Sequence, residues 1–532
     1  MKETFRQSMA WVHTWGGLAC GWLLCAIFLT GSLSVFREPI THWMAARPVL
    51  DAPPAESTGQ ARTDLVLDRA VALLQDVAPE ARFWRIHLPQ HPGEAWQLVW
   101  RTGPGRAGEQ QATLHPATGE RLPQPWGRQT EGGRHFMLFH YMLHGGTAGF
   151  WVVGAVAMFA LAALVSGVVV HKRIFADFFT FRPGKGQRSW LDAHNASAVL
   201  TLPFLFMIVY TGVAFFYTSY MPWPLNAVYG TERAHARYEE ELTQRQMPTP
   251  RSKSGTPASL ADLPTLLHQT SDLTGREARM IFVDHPGDRH AVVRIFAAAQ
   301  EAQAADGMAP AIVQTPPIVT FDGVTGAVMQ APRPDPSAAA EGDQAHAVIK
   351  ALHVVDFGGW GMKWLYFLSG LLGTAMIASG TLLFMVKRRR KSEAEFGAAT
   401  AGFYRFFEAM NVACLAGVCL ASIGYLYANR LIPAQMPGRE TLEIRVFLLL
   451  LPASLLHALW QPPLRAWAWQ LAGAGWLCVA LPVLNGLTTG EHLFAYAARG
   501  DLQGLGVEAT AIGLGLVLLR VARQVRRRGV RP

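Results

Sequence analysis

Eight stretches of this chain are apolar for long enough to cross about 30 Å of hydrocarbon at about 1.5 Å per residue, and no other feature limits the fold so sharply. They lie at roughly 10–36, 137–171, 192–220, 354–386, 403–427, 442–461, 466–486 and 502–523. Backbone polar groups find no water inside a bilayer, so a spanning segment must satisfy them internally. The pattern therefore predicts an all-α polytopic membrane protein whose environment is the lipid bilayer. Composition agrees, with half of the residues hydrophobic and only 16% charged, less charge than soluble chains carry. The net charge of +9 does not call for nucleic acid, because the basic residues cluster at the ends of the apolar runs.

Those clusters orient the chain by the positive-inside rule. Lys2 and Arg6 precede the first span, and Lys172, Arg173, Arg182, Lys185 and Arg188 fill the second connection. Lys387, Arg388, Arg389, Arg390 and Lys391 follow the fourth, and Arg523, Arg526, Arg527 and Arg528 follow the eighth. All fall on one side if the crossings alternate, which predicts a multi-pass bacterial inner-membrane protein with both termini cytoplasmic. The basic N-terminus resembles a secretory signal, but the run from Trp11 to Phe36 is long for one and no small-residue cleavage site closely follows its core. It is read as a retained helix. Cys20, Cys25, Cys414, Cys419 and Cys478 all lie in apolar segments. A disulfide framework or thiolate cage is not expected, and small buried hydrophobes fit better.

The predicted organisation is a first span at 1–36, a periplasmic module at 37–136, two spans with their cytoplasmic loop at 137–220, and a second module at 221–353. A fourth span at 354–391 and a four-helix extension at 392–532 complete it. Each module opens with a helical pattern, DLVLDRAVALLQDV at 64–77 and LADLPTLLHQTSDLTG at 260–275. Alternating stretches follow, ARFWRIHL, AWQLVWR and QQATLHPATGERL in one and ARMIFV, AVVRIFA and PIVTFDGVTGAVM in the other. Pro-Ala-Thr-Gly (116–119) and Asp-Gly-Val-Thr-Gly (322–326) read as hairpin turns. Each module is thus a small α+β unit of one helix and about three strands. Segments near 51–62, 247–258 and 332–343 read as linkers.

The first four spans are duplicated. His13 precedes the Gly of Thr30-Gly31 by 18 residues, and His194 precedes the Gly of Thr211-Gly212 by the same 18. His140 precedes the Gly of Ser166-Gly167 by 27, and His353 precedes the Gly of Ser379-Gly380 by 27. Gly145-Gly146 and Gly358-Gly359 fall at one offset. An even number of crossings separates the copies, so they share an orientation and a pseudo-twofold axis along the membrane normal. Equivalent residues then face each other, His13 with His194 near the cytoplasmic side and His140 with His353 near the other. Bis-histidine ligation of haem needs one imidazole from each side of a flat, apolar ring. Gly16, Gly17, Gly145, Gly146, Gly358 and Gly359 would leave room for it.

A lone histidine at a membrane interface is usually just solvated, but two pairs at equivalent positions argue for ligands. His144 and His171 face Phe357 and Phe384 in the repeat. They are expected beside the haems, with His171 a rival to His13 as inner ligand. His140 precedes Lys172 by 32 residues, roughly 48 Å if helical, which would set the outer site high. Arg182-Pro183-Gly184-Lys185-Gly186 lacks Walker spacing. His115, His235, His268, His285 and His290 are scattered, and His457 and Glu491-His492 read as polar packing.

At this point residues 1–390 resemble the PepSY-associated transmembrane family, in its PiuB-like, iron-regulated branch. The carriers are WVHTWGGL (11–18), HYMLHGG (140–146), SGVVVHKRIF (166–175), FFTFRPGKGQRSWLDAHN (178–195), LPF (202–204), TG (211–212) and ALHVVDFGG (351–359). The resemblance implies PepSY-like modules inserted in a duplicated four-helix haem-binding core. It also implies two haem b groups per chain and single-electron reduction of periplasmic ferric-siderophore complexes. The donor would be a quinol or a cytoplasmic reductase. Two other classes remain open, a PepSY-type peptide-binding regulator and a siderophore or iron transporter component. The first leaves the histidine spacing unexplained, and the second lacks mid-depth acidic residues in the first four spans.

Overall fold

A computed structural model describes residues 3–50, 59–90, 93–103, 108–171, 187–238, 251–298, 317–331, 341–396 and 400–529. The loop at 172–186 and residues 51–58, 247–250 and 332–340 of the three expected linkers lie outside the described residues. The chain forms two compact units, Met1–Arg47 with Gly127–Phe216 and Ile349–Pro532, and Pro48–Trp126 with Tyr217–Val348. Segments 37–47 and 127–136, expected in the first module, thus belong to the helical unit.

Among the described residues, eight helices of the first unit are long and apolar enough to cross a membrane. In chain order they include α1 (Glu3–Ser34), followed by the short α2 (Arg37–Ala45). The second unit then contributes α3 (Gln60–Val77). Next come α4 (Arg134–Met142), α5 (Gly146–Val170) and α6 (Gln187–Phe215). α1 packs against α5 and α11 (Gly359–Phe396), and α6 packs against both as well, closing a ring of four.

One expected helix is broken and another starts late. His140 stands on α4, and the span itself begins only at Gly146. Leu143, His144 and Gly146 adopt φ of 51°, 54° and 57°, and the left-handed conformation ends a helix. The second copy breaks at the matching place. His353 lies at the end of α10 (Glu341–Val354), and Val355, Gly358 and Gly359 take positive φ before α11. His140 and the following span therefore do not share the single continuous helix expected to set the outer site high.

The last four spans begin with α12 (Ala401–Val412), a π-helical turn at Ala413–Gly417, and α13 (Val418–Leu431). α14 (Arg439–Trp460), α15 (Pro463–Thr489), the short α16 (Leu493–Arg499) and α17 (Leu502–Gly529) complete the bundle. A buried polar network ties it to the rest of its unit. Arg430, 2% exposed, donates to the carbonyls of Trp43 and Met44 and to Asn485, with its guanidinium 3.7 Å from the Trp43 ring centroid. Fully buried Arg439 pairs with fully buried Glu443 at 2.9 Å and donates to the Gln129 and Asn429 carbonyls. Glu443 also accepts from Thr130 and Asn429, and Glu508 accepts from Trp43 and Asn485. Buried charge is tolerated when paired and hydrogen-bonded in this way. The network pins residues 128–130, which lead directly into α4.

The second unit also holds α7 (Tyr217–Tyr220) and α8 (Trp223–Tyr229), plus α9 (Leu263–Thr274), whose N-cap Asp262 accepts from the Thr265 amide. Its strands are β1 (Phe83–His87), β2 (Trp96–Arg101), β3 (Glu109–Leu114), β4 (Ala278–Asp284), β5 (Val292–Ala297), β6 (Ile318–Asp322) and β7 (Val328–Gln330). The two modules are not separate. They share one seven-stranded antiparallel sheet ordered β3-β2-β1-β4-β5-β6-β7. At the joint Arg85 faces Phe282, Trp84 faces Val283 and Ile86 faces Ile281. The repeat aligns ARFWRIHL with ARMIFVDH, so Arg85 faces its own equivalent and a local twofold passes between them. α3 and α9 cover one face, where Trp84, Ile86, Leu98, Ile281, Val283 and Ile295 form the core with Leu67 and Leu266.

Candidate functional site

One small device recurs four times in the ring of helices. His13 Nδ1 lies 2.9 Å from the Ala163 carbonyl, and His140 Nδ1 lies 2.8 Å from that of Ile27. His194 Nδ1 lies 2.9 Å from the Met376 carbonyl, and His353 Nδ1 lies 3.1 Å from that of Ile208. Each carbonyl stands four residues before a glycine, namely Gly167, Gly31, Gly380 and Gly212 in the same order. A Cβ there would come within 3.0, 2.7, 2.9 and 2.8 Å of the matching imidazole. The missing side chain is what lets the ring reach the helix backbone. The residue before each glycine, Ser166, Thr30, Ser379 or Thr211, returns its hydroxyl to a carbonyl of its own helix. Thr211 Oγ1 also lies 3.2 Å from His353 Nδ1.

The carbonyl can only accept, so each Nδ1 carries a proton, which leaves the lone pair of a neutral ring on Nε2. That is the tautomer a metal-binding histidine needs, held by the partner that usually fixes it. His353 is pushed down to about 3, first by burial and then by His140 beside it. Burial likewise lowers His140. Both imidazoles are therefore neutral at physiological pH, the state that ligates.

The rings meet in pairs. His13 and His194 have centroids 6.2 Å apart with planes at 60°, and His140 and His353 are 6.1 Å apart at 29°. A metal–imidazole bond is about 2.0 Å and the centroid lies about 1.1 Å behind its nitrogen, so two axial imidazoles place centroids about 6.2 Å apart. Both pairs meet that requirement. A Cβ at Gly17, Gly146 or Gly359 would meet no atom within 4 Å, whereas Gly16, Gly145 and Gly358 pack against Phe159, Gly149 and Met362. The donor set thus fits a six-coordinate haem at each pair.

His171 ends α5 with its centroid 6.4 Å from His13, at 83°, so three imidazoles gather at the inner site. The backbone notch is what His13 and His194 have in common with the outer pair. His144 turns to His135, its Nε2 2.9 Å from His135 Nδ1. The sequence reading missed His135. It is fully buried, stacked on Tyr425 at 4.2 Å and edge-on to Phe447 at 4.5 Å. A polar residue inside an otherwise apolar helix face was the available signal. The five cysteines are free. His457 contacts Gln470, Glu491 pairs with Arg499, and His268 pairs with Asp64. His115 caps its own turn and His290 meets the Ser252 carbonyl.

Eight spanning helices and a covered antiparallel sheet define a polytopic membrane protein with an α+β insertion. The chain belongs to the PepSY-associated TM region family, which matches residues 10–387. The match ends before the last four spans. An uncharacterized protein of Pseudomonas aeruginosa, PA4219, is 26% identical over 409 residues, covering 72% of this chain and 92% of that protein.

Proposed function

We propose that this protein is an inner-membrane, di-haem b reductase that passes electrons outward to ferric-siderophore complexes and releases ferrous iron. The observation that carries the reading is the pair of imidazole separations near 6 Å, each with Nδ1 engaged and Nε2 available. His140 and His353 would hold one haem, and His13 and His194 the other. Haem b, when bound, cycles a single electron between ferric and ferrous iron. The chain's part is to fix the four rings and exclude water with the apolar helices around them. The basic clusters support cytoplasmic termini. Reduction loosens iron from hard oxygen ligands, which favour the ferric ion.

The purified full-length protein should show a b-type reduced-minus-oxidised spectrum and two haems per chain. The double variant His140→Ala with His353→Ala should keep one. Well-folded protein carrying no haem would sink the proposal.

A further inference from the structure

The face of the sheet turned away from α3 and α9 does not look like a solvated surface. The free face of an antiparallel sheet ordinarily carries polar side chains alternating with the core. Here the positions alternating with the core include buried Phe83 and the half-buried Val99, Met280, Phe282 and Phe296. At the twofold joint Phe83 and Phe282 stack at 5.1 Å with planes 23° apart. Three guanidiniums surround them. Arg85 and Arg101 lie 5.7 and 4.9 Å from the Phe83 centroid, and Arg294 lies 5.7 Å from that of Phe282.

The charges do not cancel. Arg294 pairs with Asp284 at 2.7 Å, and Arg101 pairs with Glu109. Arg85 reaches the same Glu109 only at 3.9 Å. One cation in three is left without a carboxylate of its own. The Nε atoms of Arg85, Arg101 and Arg294 are also all buried without a hydrogen-bond partner among the described residues. A desolvated donor with no acceptor is costly, and more so when charged. Three such donors around one aromatic pair, on one side of one sheet, are an unfilled demand for acceptors next to a flat apolar surface.

We propose that this face binds an anionic aromatic chelate, a ferric catecholate or phenolate. Such a ligand supplies oxygen acceptors directly attached to aromatic rings. Its rings would extend the Phe83–Phe282 stack and take up the cation–π contacts of the arginines. Its oxygens would accept in charge-assisted hydrogen bonds from the guanidiniums, of which those of Arg85 and Arg101 are partly exposed. A neutral trihydroxamate complex offers neither the rings nor the net negative charge. The iron in this ligand rests on the reductase reading above, but the ring and charge preference rests on the sheet alone.

The test uses the full-length protein in detergent and gallium(III) complexes, which bind without being reduced. Tryptophan fluorescence or calorimetry would compare a gallium tris-catecholate with a gallium trihydroxamate. The tris-catecholate should bind at least roughly tenfold tighter, and Arg85→Gln should weaken it by roughly tenfold while leaving the trihydroxamate unchanged. Salt should weaken it, as expected of partly exposed charge. Equal affinity for the two complexes, indifference to Arg85→Gln, or full displacement by inorganic phosphate would overturn the proposal. Haem content is measured on the same samples. Catecholate binding without haem would fell the reductase reading and leave this site standing, and haem without catecholate preference would do the reverse.

Discussion

The first four spans and the last four solve one problem in opposite ways. Both must bury polar groups among apolar helices. In the first ring of helices each imidazole turns its Nδ1 to a backbone carbonyl and holds its second nitrogen in reserve. In the C-terminal bundle Arg439 pairs with Glu443, and Arg430 and Arg439 turn their remaining donors to Asn485 and to nearby carbonyls. A site that is to take a ligand keeps capacity unsatisfied, and a joint that is to stay shut uses it up. The ring achieves this with glycines, the bundle with charge.

The largest expected effect comes from filling one notch. Gly31→Ala puts a Cβ 2.7 Å from His140 Nδ1 without touching a ligand. Haem should fall from two to one per chain, with the inner spectrum retained. An unchanged pyridine haemochrome count would show that the notch does not position the ring. Next is Glu443→Ala, which leaves Arg439 buried without its partner and should cost about 3–5 kcal/mol. Thermal unfolding in detergent should register that loss in the C-terminal bundle while the haem bands persist at low temperature. If the haems leave first, the two regions are not independent. The smallest is Thr211→Val, which removes the hydroxyl 3.2 Å from His353 Nδ1. A lost supporting contact of this kind weakens metal binding roughly tenfold to a hundredfold, read as faster haem transfer to an apo-acceptor.

What the sequence made legible follows the same division. The eight spans were plain, because hydropathy over some twenty residues leaves no alternative to a helix. The partners of each histidine were legible because the two copies keep equal offsets to Thr-Gly and Ser-Gly. The purpose of those offsets was hidden. Gly31, Gly167, Gly212 and Gly380 served as markers of the repeat, while their bare Cα atoms are what the rings rest on. The break after His140 was invisible because Leu143 and His144 take the left-handed conformation without being glycine. His144 is held there by fully buried His135, itself enclosed by Tyr425 and Phe447 from far along the chain. The bundle network was invisible for a similar reason. Partners of Arg430 and Arg439 such as Trp43 and Gln129 are brought to them only by tertiary packing. The shared sheet depends on a long-range pairing that no local pattern announces.

That pairing has a consequence for ancestry. β1 and β4 are equivalent strands joined edge to edge about a twofold axis, the arrangement of two identical subunits meeting through a self-complementary surface. A half-length chain with one copy would present β1 as an open edge, ready to recruit another strand. It would also carry only one imidazole of each pair. Such a chain could complete neither its sheet nor its ligand sets alone, and both would close at once when two copies met. Fusion of the copies then makes assembly independent of concentration, and it frees the halves to diverge. His135, His144 and His171, present in one copy and absent from the other, are what that freedom permits.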